Sequence, residues 1–387
     1  MKTCIGQIKM YKRKLLFGVC GIGMGHTYRQ IPIINHFAKF NRIVIFSFGE
    51  SYKFFSDYFH NQPDILVLSV SVPWIHGSIN GIDYSKTSKE ECNRQNFMAA
   101  NFSAMNKALS VIGKPDLVIS DYEPISAQFA YSLNATFVTV DQQSKFFFEG
   151  YPERIGGLSP REEVSRLSMF FPKADARLAC SFYKPPSDKT KSNFEIQIVP
   201  PILRKDIVGL KDSNKCNKGQ ILVYLSPYSP FVQNPEEVLS IVSEFKKYFF
   251  CFFVASTSEF ANIKGKLPKN VKIFFHGDPK YINILDTSEA VICTAGHTLI
   301  SELMFLKKPV YAVPLKTYDQ EYCTHVISTN KFGIGYSKID RNLLKEFLSG
   351  SQKYRGNILE DKNKVLLTKT KTFGQDKIIS ILGKYLV

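Results

Sequence analysis

Short apolar, β-rich runs alternate with longer helix-like stretches along this chain, stop at a polar segment, and then begin again. Few folds other than parallel sheets with crossover helices meet that constraint, because parallel neighbours cannot be joined by a tight turn. In the first half the strand candidates are residues 14–20, 42–48, 65–69, 117–120 and 136–140. Helices are expected at 28–40 and 125–133, and 92–112 has helical composition. A later strand at 195–199 runs into Pro200-Pro201. The stretch "RKDIVGLKDSNKCNKG", residues 204–219, is polar and without periodicity, as a linker is. Beyond it, strands at 220–225, 249–255, 271–275, 290–293 and 310–313 alternate with helices at 235–247 and 298–306. The expectation is an α/β protein of two doubly wound domains, residues 1–205 and 219–365, joined by a linker at 206–218. The basic, helix-rich end, 366–387, could pack back on the first domain. Doubly wound sheets bind ligands at the carboxyl ends of their strands, so the site is expected in a cleft between the domains.

Composition narrows the function. A hydrophobic fraction of 44% with 22% charged residues excludes a disordered chain. No apolar run approaches the roughly 20 residues that span a bilayer. The amino end mimics a signal peptide, but its apolar run ends in GMGH without a small-residue cleavage site and reads as a buried first strand behind a basic leader. Eight cysteines without a C-x-x-C pair point to reduced, buried thiols in a cytoplasmic protein. The net charge of +16 sits mostly at the two ends, with 8 Lys and Arg against 1 acid in residues 1–50 and 8 against 3 in 351–387. Such ends suit solubility first, and peripheral contact with an anionic membrane second; nucleic acid is not favoured.

The stretch "GVCGIGMGHTYRQ", residues 18–30, follows the first strand and opens a helix, the context of a phosphate loop. Its spacing is not the dinucleotide G-x-G-x-x-G, and Glu50 lies too close behind the second strand to hold a ribose. His26 is the unusual residue, since a helix start disfavours the imidazolium and leaves a neutral ring able to accept a proton. The plainer alternative is a histidine that caps or packs the loop. In "PDLVISDYEP", Asp121 ends a buried strand on the same sheet edge and could orient His26 as the carboxylate of a His–Asp dyad. It could equally cap the helix after Pro124. Glu123 is a second candidate for that duty or for binding an acceptor hydroxyl.

The most ordered stretch is "VICTAGHTLISELMFLKKPVYAVPLKTYDQ", residues 291–320. It reads strand, tight turn, amphipathic helix, Lys-Pro breaker, strand and a loop ending in Asp-Gln. Gly296 allows close backbone approach, and Thr298 with the free N–H groups of the helix start can hold a diphosphate. Glu302 can accept both hydroxyls of a ribose, and Asp319 with Gln320 could bond the hydroxyls of a sugar.

On these residues the chain resembles the GT-B glycosyltransferases, in particular the MurG-like and UDP-glucuronosyltransferase-like groups, over most of residues 14–340. The resemblance implies two Rossmann-like domains, the first for an acceptor and the second for a nucleotide-sugar. It implies His26 as general base with Asp121 as partner, Gly23 and Gly25 beside the acceptor, and Gly296, His297 and Thr298 at the donor diphosphate. Glu302 would hold the ribose, and Asp319 and Gln320 the donor sugar. Ser226 stands where a glycine-rich loop often follows the first strand of the second domain. The glycines at 21, 23 and 25 then clear space at the mouth of the cleft. The sequence has no Asp-X-Asp triplet for a divalent metal, so the expected reaction is an inverting, metal-independent transfer from a UDP-sugar to an unidentified hydroxyl, without a cofactor. Three alternatives stay open: sugar transfer to modified bases in DNA, a UDP-sugar epimerase of the same architecture, and a non-catalytic sugar-nucleotide-binding module. The aromatic cluster "SKFFFEGYPER", 144–154, could meet a lipid-linked acceptor, but core packing is the reading preferred.

Overall fold

The computed structural model describes residues 12–73, 76–78, 81–89, 97–191, 195–210, 215–226, 233–255, 267–370 and 372–386. Two parallel sheets dominate. The first is built from β1 (Lys14–Val19), β2 (Arg42–Ser47), β3 (Ile65–Ser69), β6 (Leu117–Asp121), β7 (Phe137–Asp141), β8 (Ala176–Cys180) and β9 (Ile196–Val199). Its order is β3-β2-β1-β6-β7-β8-β9, and a separate two-stranded ribbon pairs β4 (Gly77–Ser78) with β5 (Gly81–Ile82). The second sheet comprises β10 (Asn217–Tyr224), β11 (Phe249–Val254), β12 (Val271–Phe275), β13 (Ser288–Thr294), β14 (Val310–Val313) and β15 (Gly333–Gly335), in the order β12-β11-β10-β13-β14-β15. The fold is α/β with two doubly wound halves.

Near-continuous apolar strands such as "KLLFGV" and "FFCFFV" are buried on both faces, as helix-covered parallel strands must be. β8 and β15 carry no strand signal in the sequence. Arg177 interrupts β8 and is fully buried, while glycines flank the single isoleucine of β15, where a Cβ on Gly333 would lie 1.8 Å from the Val310 carbonyl oxygen. The first long helix starts at Met24, four residues before the expected 28. Gly23 makes the turn at φ 69°, and the cost of a glycine inside a helix, about 1 kcal/mol, does not stop Gly25 from being helical.

One apolar cluster spans both halves. Phe146, Phe182, Tyr183 and Leu203 pack with Cys293, Ala295, Tyr318 and Tyr322 of the second sheet and its helices. Phe146, Phe147 and Phe148 are all buried, so the aromatic cluster is core and not a membrane-facing patch. Residues 205–208 form one helical turn within the expected linker, whose residues 211–214 lie outside the described ones. The last helix, Gly374–Gly383, buries Ile378 and Leu382 beside Val199 and Ile202 of the first half. Five of the six cysteines among the described residues are buried and Cys216 is exposed, all as free thiols; Cys4 and Cys92 lie outside the described residues. Among the described residues no helix is long and apolar enough to cross a membrane.

Candidate functional site

β1 lies between β2 and β6, so the chain leaves the sheet centre in one direction and returns on the other side. Loops leaving the carboxyl ends of β1 and β6 diverge there, at the topological switch point where doubly wound sheets bind ligands. Val19 at the end of β1 pairs with Asp121 at the end of β6. The second sheet repeats the device between β10, followed by Ser226, and β13, followed by Gly296.

The glycines of the first loop divide their labour. A Cβ on Gly21 would stand 1.8 Å from the Phe48 carbonyl oxygen, so Gly21 serves the crossing of two loops and not the opening of a cleft. Gly23 has open space around its Cβ position. Gly25 admits the other half of the molecule, its Cβ position lying 3.2 Å from Thr298 Oγ1.

His26 sits in the first turn of the helix Met24–Phe37, whose start no side chain caps. Residues 29 and 30 share its helical face. All three converge on Asp121. His26 Nδ1 lies 2.8 Å from Oδ1; Arg29 donates through Nη2 to Oδ1 and through Nε to Oδ2, both at 2.8 Å; Gln30 Nε2 donates to Oδ2 at 3.0 Å. Burial by itself would raise the Asp121 carboxyl, but Arg29 and His26 outweigh it and hold the group well below the usual range. Burial works against the His26 imidazolium, while the Cys20 and Asp121 side chains favour it, and the net shift is upward. The helix start is therefore not the strongest influence on this ring. A helix terminus contributes about 0.3–1 kcal/mol, less than a carboxylate at hydrogen-bond distance in a dry site.

Tyr122, directly after Asp121, holds a left-handed φ of 57° and stacks its ring 6.3 Å from that of His26. Such a conformation in a bulky residue persists only where the surroundings impose it. Glu123 takes the capping role: its carboxylate accepts from the N–H groups of Ile125 and Ser126 at 2.7 and 2.8 Å. This corrects its assignment to an acceptor hydroxyl or to His26, since both oxygens are committed to the helix start.

In the second half, Gly296 is the N-cap of the helix His297–Phe305, and again no side chain caps it. A Cβ at Gly296 would meet only the Thr294 carbonyl oxygen, at 4.0 Å. Thr298 Oγ1 donates across to the Gly25 carbonyl at 3.5 Å, so the two uncapped helix starts face each other. His297 is buried between the halves, its Nε2 accepting from the Phe182 N–H at 3.4 Å, and burial holds its pKa well below the usual value. Its side chain therefore packs, and only its backbone stands at the helix start. The Ser226 N–H donates to Thr294 Oγ1 at 2.9 Å.

The two donor-side carboxylates are paired with cations from the first half. Arg204 donates to both oxygens of Glu302, at 2.7 and 2.9 Å, with its guanidinium 4.9 Å from the Tyr28 ring centre. Lys145, fully buried, donates to Asp319 at 2.8 Å, and Gln142 Nε2 donates to the other oxygen at 3.1 Å. Gln320 Oε1 accepts from the Leu315 N–H at 2.9 Å. Sequence reasoning missed Arg29, Gln30, Lys145, Arg204 and Tyr122. The helical spacing from His26 could have pointed to the first two; the others carry no local signal. Among the described residues no three His, Cys, Asp or Glu side chains come together as metal ligands would.

A family model described as Glycosyl transferase family 1 matches residues 13–350. No curated protein matches by sequence. Solved structures match over nearly the whole chain at low identity. The crystal structure of LpCGTa in complex with UDP is 12% identical with a TM-score of 0.68, covering 97% of this chain and all of that one. The glycotransferase of kitacinnamycin gives 11% and 0.67 at the same coverage. Arabidopsis thaliana UGT89C1 complexed with UDP-L-rhamnose gives 12% and 0.64, again over 97% and 100%. The two facing halves are the GT-B architecture. The chain belongs to glycosyl transferase family 1.

Proposed function

We propose that this family 1 glycosyltransferase moves a sugar from a UDP-sugar to an acceptor hydroxyl, with inversion and without a metal ion. The observation that carries the reading is the meeting of two uncapped, glycine-started helices beside the His26–Asp121 pair. The first-turn N–H groups and dipoles of these helices suit a diphosphate, and the His26 ring stands in the first turn of one of them.

In this reading His26, steered by Asp121 through Nδ1, takes the acceptor O–H proton on Nε2. The acceptor oxygen attacks the anomeric carbon from the face opposite the leaving group. The bond from that carbon to the diphosphate oxygen breaks, and UDP leaves with the electron pair. The helix starts at Gly23 and Gly296 meet the charge that develops on it. In this reading Glu302, held by Arg204, is the group that reads the ribose, and Asp319 with Gln320 the groups that read the sugar hydroxyls. The UDP carried by LpCGTa and the UDP-L-rhamnose carried by UGT89C1, on the same fold, support a uridine donor.

The test is a panel of UDP-sugars monitored for UDP release, with and without a crude acceptor extract, and with EDTA as a further arm. UDP release that needs the acceptor and ignores EDTA is the expected result, with a product of inverted anomeric configuration by NMR. A UDP-sugar converted to its epimer without acceptor would replace this reading with an epimerase, and loss of release in EDTA would restore a metal.

A further inference from the structure

An isolated His–Asp dyad becomes a neutral ion pair when the ring takes a proton. The pair found here is different, because Arg29 has already neutralised the carboxylate. Its guanidinium grips both Asp121 oxygens at 2.8 Å, and Nη2 lies 2.9 Å from the same His26 Nδ1 that faces Asp121. Arg29 and Asp121 are both buried, so water screens little of this. With Gln30 on the second oxygen, the carboxylate accepts from three side chains, and its position is fixed from the helix that carries His26.

We infer that Arg29 is a positioning residue of the reaction, the third member of a His26–Asp121–Arg29 cluster, which holds Asp121 in place and makes protonation of His26 harder than the carboxylate alone would allow. A proton on His26 raises the cluster to a net positive charge, in a site where the guanidinium cannot turn to water. The other titratable groups facing the ring are Cys20 at the end of β1 and, from the end of β6, Tyr122, whose hydroxyl is engaged by Glu163. From the opposing helix it is Thr298, which does not titrate, that meets the His26 turn at Gly25. Among the described residues Arg29 is therefore the one cation whose contact with the ring is direct. A base that holds its proton less tightly than a His–Asp pair without the guanidinium would is the benefit, and the inference rests on the catalytic role proposed above for His26.

The test is the protonation midpoint of His26 in the full-length chain, followed by NMR of ring-labelled histidine without any sugar donor and assigned with His26→Gln. Arg29→Gln should move the midpoint up by about one pH unit or more, the imidazolium taking over as counter-ion to Asp121. Arg29→Lys keeps the charge but not the planar two-pronged grip, so the midpoint should stay within a few tenths of a unit, by about the same rule, while kcat falls at least about tenfold. Arg29→Gln with an unchanged or lowered midpoint in a folded protein overturns the inference. If Arg29→Gln does not fold, a midpoint in Arg29→Lys raised by about one unit overturns it instead. If the midpoints move as expected but no UDP-sugar is turned over even by the wild type, the cluster stands and the transferase reading falls.

Discussion

The two helix starts that face each other are alike in backbone and opposite in how their side chains are held. Around His26, the side chains among the described residues that hydrogen-bond Asp121 all come from the same half, from the one helix that carries His26. Around Gly296, the carboxylates expected to read the donor are each held by a cation from the other half: Glu302 by Arg204 and Asp319 by Lys145. The group proposed to transfer the proton is thus preorganised within one half, while the groups proposed to read the donor exist in their present form only when the halves are together. Chemistry and recognition should therefore separate cleanly under mutation.

His26→Ala should break the first half of the comparison most severely. Transfer should fall about 100- to 10,000-fold in kcat, the range for a lost general base, with UDP affinity by calorimetry nearly unchanged. Unchanged turnover would remove His26 from the mechanism.

Lys145→Met should strike stability instead, because it leaves Asp319 nearly buried beside an apolar neighbour. The expected loss is about 3–5 kcal/mol in denaturant unfolding, as for other buried pairs broken on one side. A wild-type midpoint in this variant would mean that the bridge between the halves carries little.

Glu302→Ala sharpens the contrast in binding. UDP affinity should fall about tenfold, or about 1.4 kcal/mol, with the pH dependence of turnover intact. Equal affinity would put the ribose elsewhere.

The smallest effect concerns two carboxylates two residues apart. Asp121 is held low by Arg29 and His26, whereas burial raises Glu123 to about 7 against the opposing N–H bonds of Ser126 and Ile125. A carboxyl raised in the folded state contributes stability that is present below its unfolded value, near 4.5, and is lost as pH rises through about 7. Unfolding at a series of pH values should show that decline, and Glu123→Gln should flatten it.

Much of this was legible beforehand. Asp121 could be placed near His26 because neighbouring parallel strands end on one edge, and strand register is set by the apolar pattern. Capping was only the alternative reading of Asp121, and the cap falls to Glu123 instead: both are acidic residues near a helix start. Only the cation waiting at Asp121 separates them, since a carboxylate gripped by Arg29 cannot also serve the helix.

The sequence by itself determined the periodic elements, the two doubly wound halves, the glycine-started helices and the spacing that puts His26, Arg29 and Gln30 on one face. Those are consequences of short-range sterics and of where apolar residues recur. The tertiary structure decided which charge meets which. Arg29 lies 92 residues from Asp121, Arg204 lies 98 from Glu302, and Lys145 lies 174 from Asp319. At such separations nothing local ranks one partner above another. The choice is made when burial strips water from a charge and leaves it only the opposite charge that the fold has brought within reach.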